Sequence, residues 1–222
     1  MEIIRYAELK PVPWRNGGGV TRELARFPQA SGQGAAAGDA WDWRVSIAEV
    51  SRAGAFSRFA GMERVLTVVD GELLVLTVDG AEHPLEKYRP YRFSGDADAA
   101  GALPTGDIRD LNVITRTGAF KGYTSIIELS KKRAHPVFAG QFGVLLQGQA
   151  SAGVPGAPDA HAAAGGPAAP GGPEVSAGPE VSGDPGEAPQ ALERYDAVVG
   201  SDTRTPEILG RGFLAVVSID PV

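Results

Sequence analysis

The stretch from Gly54 to Gly80, GAFSRFAGMERVLTVVDGELLVLTVDG, decides how the rest of the chain is read. Its two runs, Arg64 to Val69 and Glu72 to Val78, are rich in Val, Leu and Thr, a composition that suits a pleated, half-buried surface. Asp70-Gly71 stands between the runs, and Asp79-Gly80 follows the second. Asp-Gly is a preferred two-residue hairpin turn because both central positions of a type I′ turn take positive φ. The spacing therefore predicts hairpin turns at Asp70-Gly71 and at Asp79-Gly80. The segment LLVLTV is apolar on both faces, as expected of a strand inside a packed two-sheet structure.

Working outward, the same signals recur. In WDWRVSIAEV (Trp41 to Val50), Trp41, Trp43, Val45 and Ile47 share one face, and Asp42, Arg44 and Ser46 share the other. One of these faces is expected to point inward and the other outward. In DLNVITR, Asp110, Asn112, Ile114 and Arg116 share a face, and Leu111 and Val113 take the opposite one. GYTSIIEL (Gly122 to Leu129), FGVLLQGQ (Phe142 to Gln149), ALERYDAVVG (Ala191 to Gly200) and GFLAVVSID (Gly212 to Asp220) complete the strands. Thr205 to Leu209 reads as a helical turn. Short strands separated by turns, with no sustained helical period, predict an all-β sandwich or barrel.

The chain divides near Gly118 into two strand-rich modules, 1–118 and 119–222. From Ser151 to Gln190 it is dominated by Gly, Pro and Ala and carries the tandem repeat GPEVSAGPEVSG. Such a composition buries too little apolar surface to offset backbone ordering, so this reads as an insertion without structure of its own. Gln29 to Ala40 reads as a long loop.

The 222 residues are 43% hydrophobic, enough for a real core, and the formal net charge is −6. Scattered Lys and Arg on an acidic chain argue against a nucleic-acid or polybasic membrane partner. There is no cysteine, which excludes disulfides, thiolate metal sites and a cysteine nucleophile. No apolar run approaches the roughly 20 residues that span a bilayer. A soluble, cytoplasmic protein is expected. Edge strands of a sandwich can pair across a two-fold axis, so a homodimer is a possible assembly.

His83, His135 and His161 show no HxH or HxxxH spacing and read as surface residues, so neither a metal nor another cofactor is expected. Gly54 to Gly80 also has the layout of a first cupin motif, with an entry turn, a polar cluster, a strand, DGE and a second strand. Where metal-binding cupins carry histidines, this chain has SRFAGMER, with Glu63 beside Arg64. A guanidinium already compensates that carboxylate, so the site should prefer anions to cations.

PWRNGGGVTREL, WDWRVSIAEV, GAFSRFAGMERVLTVVDGE, RFSGD and DLNVITRTG follow one another in an order and spacing that resemble the HutD/Ves family. The resemblance covers most of Val12 to Gly118. It implies a bicupin, two cupin-like jelly-roll modules, associated with histidine utilisation. It also implies a small-ligand-binding protein that limits histidine catabolism, with carboxylates such as urocanate or formylated glutamate as ligands. The insertion at 151–190 is not a feature of that pattern.

On the residues alone, Gly17, Gly18 and Gly19 could curl into a backbone nest for an anion, with Asn16 and Arg22 closing around it. A tight strand-entry turn with Trp14 plugging the barrel mouth is the alternative. Thr21, Arg44, Ser46, Arg64, Asp110 and Asn112 complete the expected pocket. If instead the protein is a cupin-fold isomerase or hydrolase, Glu23, Glu63 and Asp110 are the acid–base candidates. A pure interaction role is the third class, although the Gly/Pro/Ala segment reads as a spacer.

Overall fold

A computed structural model describes residues 1–28, 41–155 and 188–222. The expected loop at 29–40, His161 and most of the 151–190 segment lie outside the described residues. The first half contributes β1 (Glu2–Ile4), β2 (Val12–Pro13), β3 (Gly19–Phe27), β4 (Trp43–Val50), β5 (Gly54–Ala55), β6 (Met62–Asp70), β7 (Leu73–Val78), β8 (Ala81–Glu86), β9 (Tyr91–Ser94), β10 (Ala99–Ala102) and β11 (Ile108–Arg116). The second half contributes β12 (Phe120–Leu129), β13 (His135–Pro136), β14 (Gln141–Gly153), β15 (Gln190–Leu192), β16 (Ala197–Val199) and β17 (Glu207–Pro221). One short 3-10 turn, Tyr6–Glu8, is the helical element among the described residues.

Three sheets result. The order β2-β3-β4-β11-β6-β9 makes a six-stranded sheet, and β5-β10-β7-β8 a four-stranded one that faces it. The seven-stranded sheet runs β1-β16-β14-β17-β12, with β13 on β17 and β15 on β14. β1 pairs with β16, so the chain's first strand belongs to the sheet built by its second half.

The Asp79-Gly80 turn forms as expected. Both residues take positive φ, 48° and 85°, and Val78 pairs with Ala81 across it. Asp70-Gly71 corrects the first expectation, because β6 and β7 lie in different sheets and are not hydrogen-bonded neighbours. Gly71 does take φ 79°, but the turn carries the chain from one sheet to the other. Turn chemistry fixes the local backbone and is silent on what the flanking strands pair with. Thr205 to Leu209 is likewise no helical turn, since β17 starts at Glu207 and runs antiparallel to β14. Ser151–Gly153 and Gln190, the ends of the expected insertion, are strand residues in β14 and β15 that pair with one another.

Both faces of the six-stranded sheet are covered. Its inner face gives Ala48, Val50, Leu66, Val68 and Ile108 to a core shared with Leu74, Leu76, Leu85 and Ala99 of the four-stranded sheet. Its outer face gives Val45, Ile47, Val65, Val69, Leu111 and Val113 to a second core with Phe142, Val144, Leu146, Ala215 and Val217 of the seven-stranded sheet. At about 1.5–3 kcal/mol per fully buried aliphatic side chain, the six outer residues hold the two halves together by roughly 10 kcal/mol. This overturns the expectation that one face of β4 points outward. Trp43, Val45 and Ile47 pack toward the seven-stranded sheet, whereas Arg44 and Ser46 face the barrel, where Trp41 stacks on Arg44. The other side of the seven-stranded sheet closes over a third core with Leu145, Ile208 and Leu214.

Candidate functional site

The register of the six-stranded sheet sets out the site. Arg44 of β4 is level with Ile114 of β11, and Ile114 with Arg64 of β6. One row along, Ser46 is level with Asn112, and Asn112 with Leu66. A further row holds Thr21, Ala48, Asp110 and Val68. The inward residues of these rows, with the loop after β5, enclose a cavity of about 490 Å³. Asn16, Thr21, Arg44, Ser46, Arg64 and Asn112 line it, together with Trp14, Phe56 and Phe59.

Three arginines line the cavity: Arg15, which is exposed, and the more deeply set Arg44 and Arg64, which differ from the paired arginines of the fold. Arg22, Arg26, Arg92, Arg109 and Arg116 each pair with a carboxylate. Among the described residues, Arg44 and Arg64 have none within ion-pair distance. The Arg44 guanidinium lies 4.9 Å from the Trp41 ring centroid and 5.3 Å from that of Phe59. Arg64 is 3% exposed, stacked 4.9 Å from Phe93 and 5.4 Å from Phe56. Its Nη2 donates to Asn112 Oδ1 at 2.8 Å and its Nη1 to Ser57 O at 3.3 Å. The Nε of each arginine is buried without a partner among the described residues. Ring faces attract cations but do not neutralise them. Burial accordingly lowers the pKa of both arginines, that of Arg64 to about 10, so it stays charged at neutral pH.

Behind Arg64 sits Asp110, fully buried. Its Oδ1 accepts from Asn112 Nδ2, and its Oδ2 has no partner among the described residues. Burial pushes its carboxyl up to about 7, against the pull of Arg64. Asp110 does not line the cavity. It reaches the cavity through Asn112 and Arg64.

Arg22 is not in the cavity, which corrects the sequence expectation. Strand alternation puts Thr21 inward and Arg22 outward, level with the outward Ile47. There Arg22 pairs with Glu49 and donates to Tyr6 Oη at 3.2 Å. Glu49 continues to Arg109 at 3.4 Å, and Arg109 to Asp70 at 3.0 Å. Asp70 meets Arg194 of the second half at 2.9 Å. Burial raises the pKa of Glu49, but Arg109 and Arg22 outweigh it and hold the carboxyl below its usual range. Glu63 pairs with Arg92, and Glu23 with Arg26 at 3.2 Å, so neither carboxylate enters the cavity.

The three glycines form the tight turn rather than an open nest. Gly17 N donates to Trp14 O at 3.0 Å and Gly18 N to Asn16 Oδ1 at 3.0 Å, so both amides are occupied. A Cβ on Gly19 would lie 2.4 Å from the Glu49 carbonyl oxygen and 3.2 Å from the Trp14 ring. Gly19 lets β3 lie against β4 while Trp14 folds over the barrel mouth, its Nε1 donating to Thr21 Oγ1 at 2.8 Å. On Gly18 a Cβ would meet only the Asn16 side chain, at 3.2 Å. Gly19→Ala is therefore expected to lower stability by roughly 2–3 kcal/mol and Gly18→Ala by less than about 1 kcal/mol, read by urea unfolding.

A larger groove of about 860 Å³ runs between β3 and the seven-stranded sheet, lined by Phe27, Trp43, Phe142 and the Glu23–Arg26 pair. Its one arginine is already paired, and Glu2 adds a second carboxylate to the lining. The barrel cavity is the better site because Arg44 and Arg64 are not paired in this way. Sequence reasoning missed Phe56 and Phe59, whose spacing in GAFSRFAG places both rings beside Arg64. His83 stacks on Tyr91 at 4.6 Å, and His135 lies half-buried in β13. Among the described residues no cluster of His, Asp and Glu gathers as metal ligands.

Two β-barrel halves sharing a core, one holding an arginine-lined hollow, define a cupin-type double barrel. A cupin 2 conserved barrel domain protein from Leptotrichia buccalis has the same fold at TM-score 0.53 and 8% identity, covering 99% of this chain and all of that one. The chain belongs to the HutD family, whose model matches residues 6–169. It is 39% identical over 115 residues to an uncharacterised 21.2 kDa protein from the hutC 3′ region of Pseudomonas putida, a match spanning 51% of this chain and only 57% of that relative. It is 33% identical over 148 residues to protein Ves of Citrobacter koseri, 64% of this chain and 72% of that one. The structure of HutD from Pseudomonas fluorescens SBW25 aligns at TM-score 0.68 and 24% identity, covering 100% and 98% of the two chains.

Proposed function

We propose that the protein binds a small carboxylate metabolite in the barrel cavity and acts by that binding, as a limiter or regulator of histidine catabolism. The observation that carries the reading is the pair Arg44 and Arg64, two guanidiniums lining one cavity with no carboxylate within ion-pair distance among the described residues. A carboxylate is the complement such a site lacks, because the planar fork of arginine matches it with two parallel hydrogen bonds. Asn112, Ser46 and Thr21 add neutral polar groups, and Trp14, Phe56 and Phe59 supply apolar walls. The family and the hutC-region relative support a place in histidine utilisation and hence a cytoplasmic location. Among the described residues no helix is long and apolar enough to cross a membrane.

Titration calorimetry with urocanate, formylglutamate, formate and histidine tests this. At least one carboxylate is expected to bind with a dissociation constant in the micromolar range, about −8 kcal/mol, and to raise the melting temperature. No heat and no thermal shift with any of the four would end the proposal.

The enzyme reading rests on Asp110, a carboxyl that titrates near neutrality close to the cavity. Incubation with the same compounds, followed by product analysis, separates the two. Conversion lost in Asp110→Asn would favour catalysis.

A further inference from the structure

Three groups form a line inward from the cavity. Arg64 lines it, Asn112 bridges through Oδ1 to Arg64 Nη2 and through Nδ2 to Asp110 Oδ1, and Asp110 ends the line fully buried. The far oxygen of Asp110 has no hydrogen-bond partner among the described residues. A buried carboxylate oxygen left bare is costly when charged and far less so when it carries a proton.

We propose that a carboxylate entering this cavity brings a proton with it, which lodges on Asp110, so that Asp110 determines which net charge the site accepts. The inference rests on the carboxylate-binding reading above.

The groups around Asp110 make the sign unambiguous. On its own strand the inward neighbours are Ile108 and Asn112, both uncharged. On β4 its partner is Ala48, with Thr21 of β3 beyond, and on β6 it is Val68. Across the barrel, the four-stranded sheet contributes Leu74, Leu76 and Ala99 to the core. The charges remaining are Arg64 and, further along the cavity, Arg44 and the exposed Arg15. Of these Arg64 is the one that eases ionisation of Asp110, against the larger opposing effect of burial. A carboxylate seated on Arg64 cancels that help and adds a negative charge of its own. Both effects push the Asp110 carboxyl further up from its starting value of about 7. Binding and protonation then favour each other, because linkage is reciprocal. Asn112 can hold the line in both states, since its amide donates to either form of Asp110. The balance is simple: the ligand anion and one proton drawn from the buffer enter together, the proton forms an O–H bond on Asp110, and no other covalent bond changes.

The test uses formate and formylglutamate, whose carboxyls stay fully ionised between pH 6 and 9. Calorimetry of the full chain in two buffers of different ionisation heat counts the protons exchanged. Uptake is expected to approach one proton per ligand near pH 8 and to vanish at pH 6. Affinity should fall about tenfold from pH 6.5 to 8.5. In Asp110→Asn both the uptake and the slope should disappear. Binding with no proton exchange and flat affinity would overturn the inference and leave the carboxylate reading standing. Failure of every carboxylate to bind would remove both. The wild-type proton count needs no variant, so the result does not depend on Asp110→Asn folding.

Discussion

Arg64→Met is expected to weaken carboxylate binding at least a hundredfold and to leave the protein folded. A hydrogen bond to a charged group is worth about 1.5–3 kcal/mol, and a guanidinium fork makes two to one carboxylate. Losing both exceeds the roughly 2.7 kcal/mol that a hundredfold change requires. The fold should tolerate the change because Arg64 makes no ion pair and its walls are the rings of Phe56, Phe59 and Phe93. Methionine is of similar length, and its thioether packs well against rings. Arg44→Met should cost less, about tenfold, because Arg44 is less buried. Arg22→Met should leave affinity unchanged, since Arg22 faces the other core and pairs with Glu49. Its loss is expected to show as about 1 kcal/mol or less of stability, the usual worth of a partly exposed pair. Calorimetry on the three variants, with unfolding curves beside it, gives the ranking. Equal affinities for Arg64→Met and the unaltered protein would place the ligand elsewhere.

That ranking exposes what was legible in the sequence. Period-two alternation gave the strands and the correct faces of β11, because a residue's face depends only on its neighbours in the chain. The same rule, applied strictly, would have separated Thr21 from Arg22, which cannot share a pocket when both sit in one regular strand. Gly17 to Gly19 offered two meanings, a nest or a tight turn. The difference lay in the Glu49 carbonyl and the Trp14 ring, which only folding brings to Gly19. The Asp70-Gly71 turn was legible and its partner strands were not, since sheet membership is a long-range property. Phe56 and Phe59 carried no signal as binding residues, because an aromatic beside a turn is usually core. Likewise the absence of a counter-charge at Arg44 and Arg64 is a property of packing. No sequence pattern distinguishes those two arginines from Arg5, Arg22, Arg26, Arg58, Arg92, Arg109, Arg116 and Arg194, which pair with carboxylates.

Asp110 also makes a prediction without any ligand. Its carboxyl is raised from 3.8 to about 7 in the folded protein, with burial the larger cause and Arg64 opposing it. Below pH 4 the group is neutral in both folded and unfolded chains and costs nothing. Between pH 4 and 7 the unfolded chain ionises freely while the folded one holds its proton. Stability is therefore lost across that window at up to about 1.4 kcal/mol per pH unit, and the loss levels off above pH 7. The whole effect is on the order of 4 kcal/mol. Glu49 and Asp70 have lowered pKa values, so their contributions grow with pH and mask the trend in the unaltered protein alone. Asp110→Asn removes this opposing group and keeps an oxygen to accept from Asn112. Its new amide has no partner assured, a fixed cost of about 1–3 kcal/mol at every pH. The variant should thus be the less stable protein at pH 4.5 and the more stable one at pH 8. Urea unfolding of both across that range would show the two stability curves crossing. Curves that run parallel would mean that Asp110 ionises as easily inside the barrel as in water, and the proton-coupled reading of the cavity would fall with it.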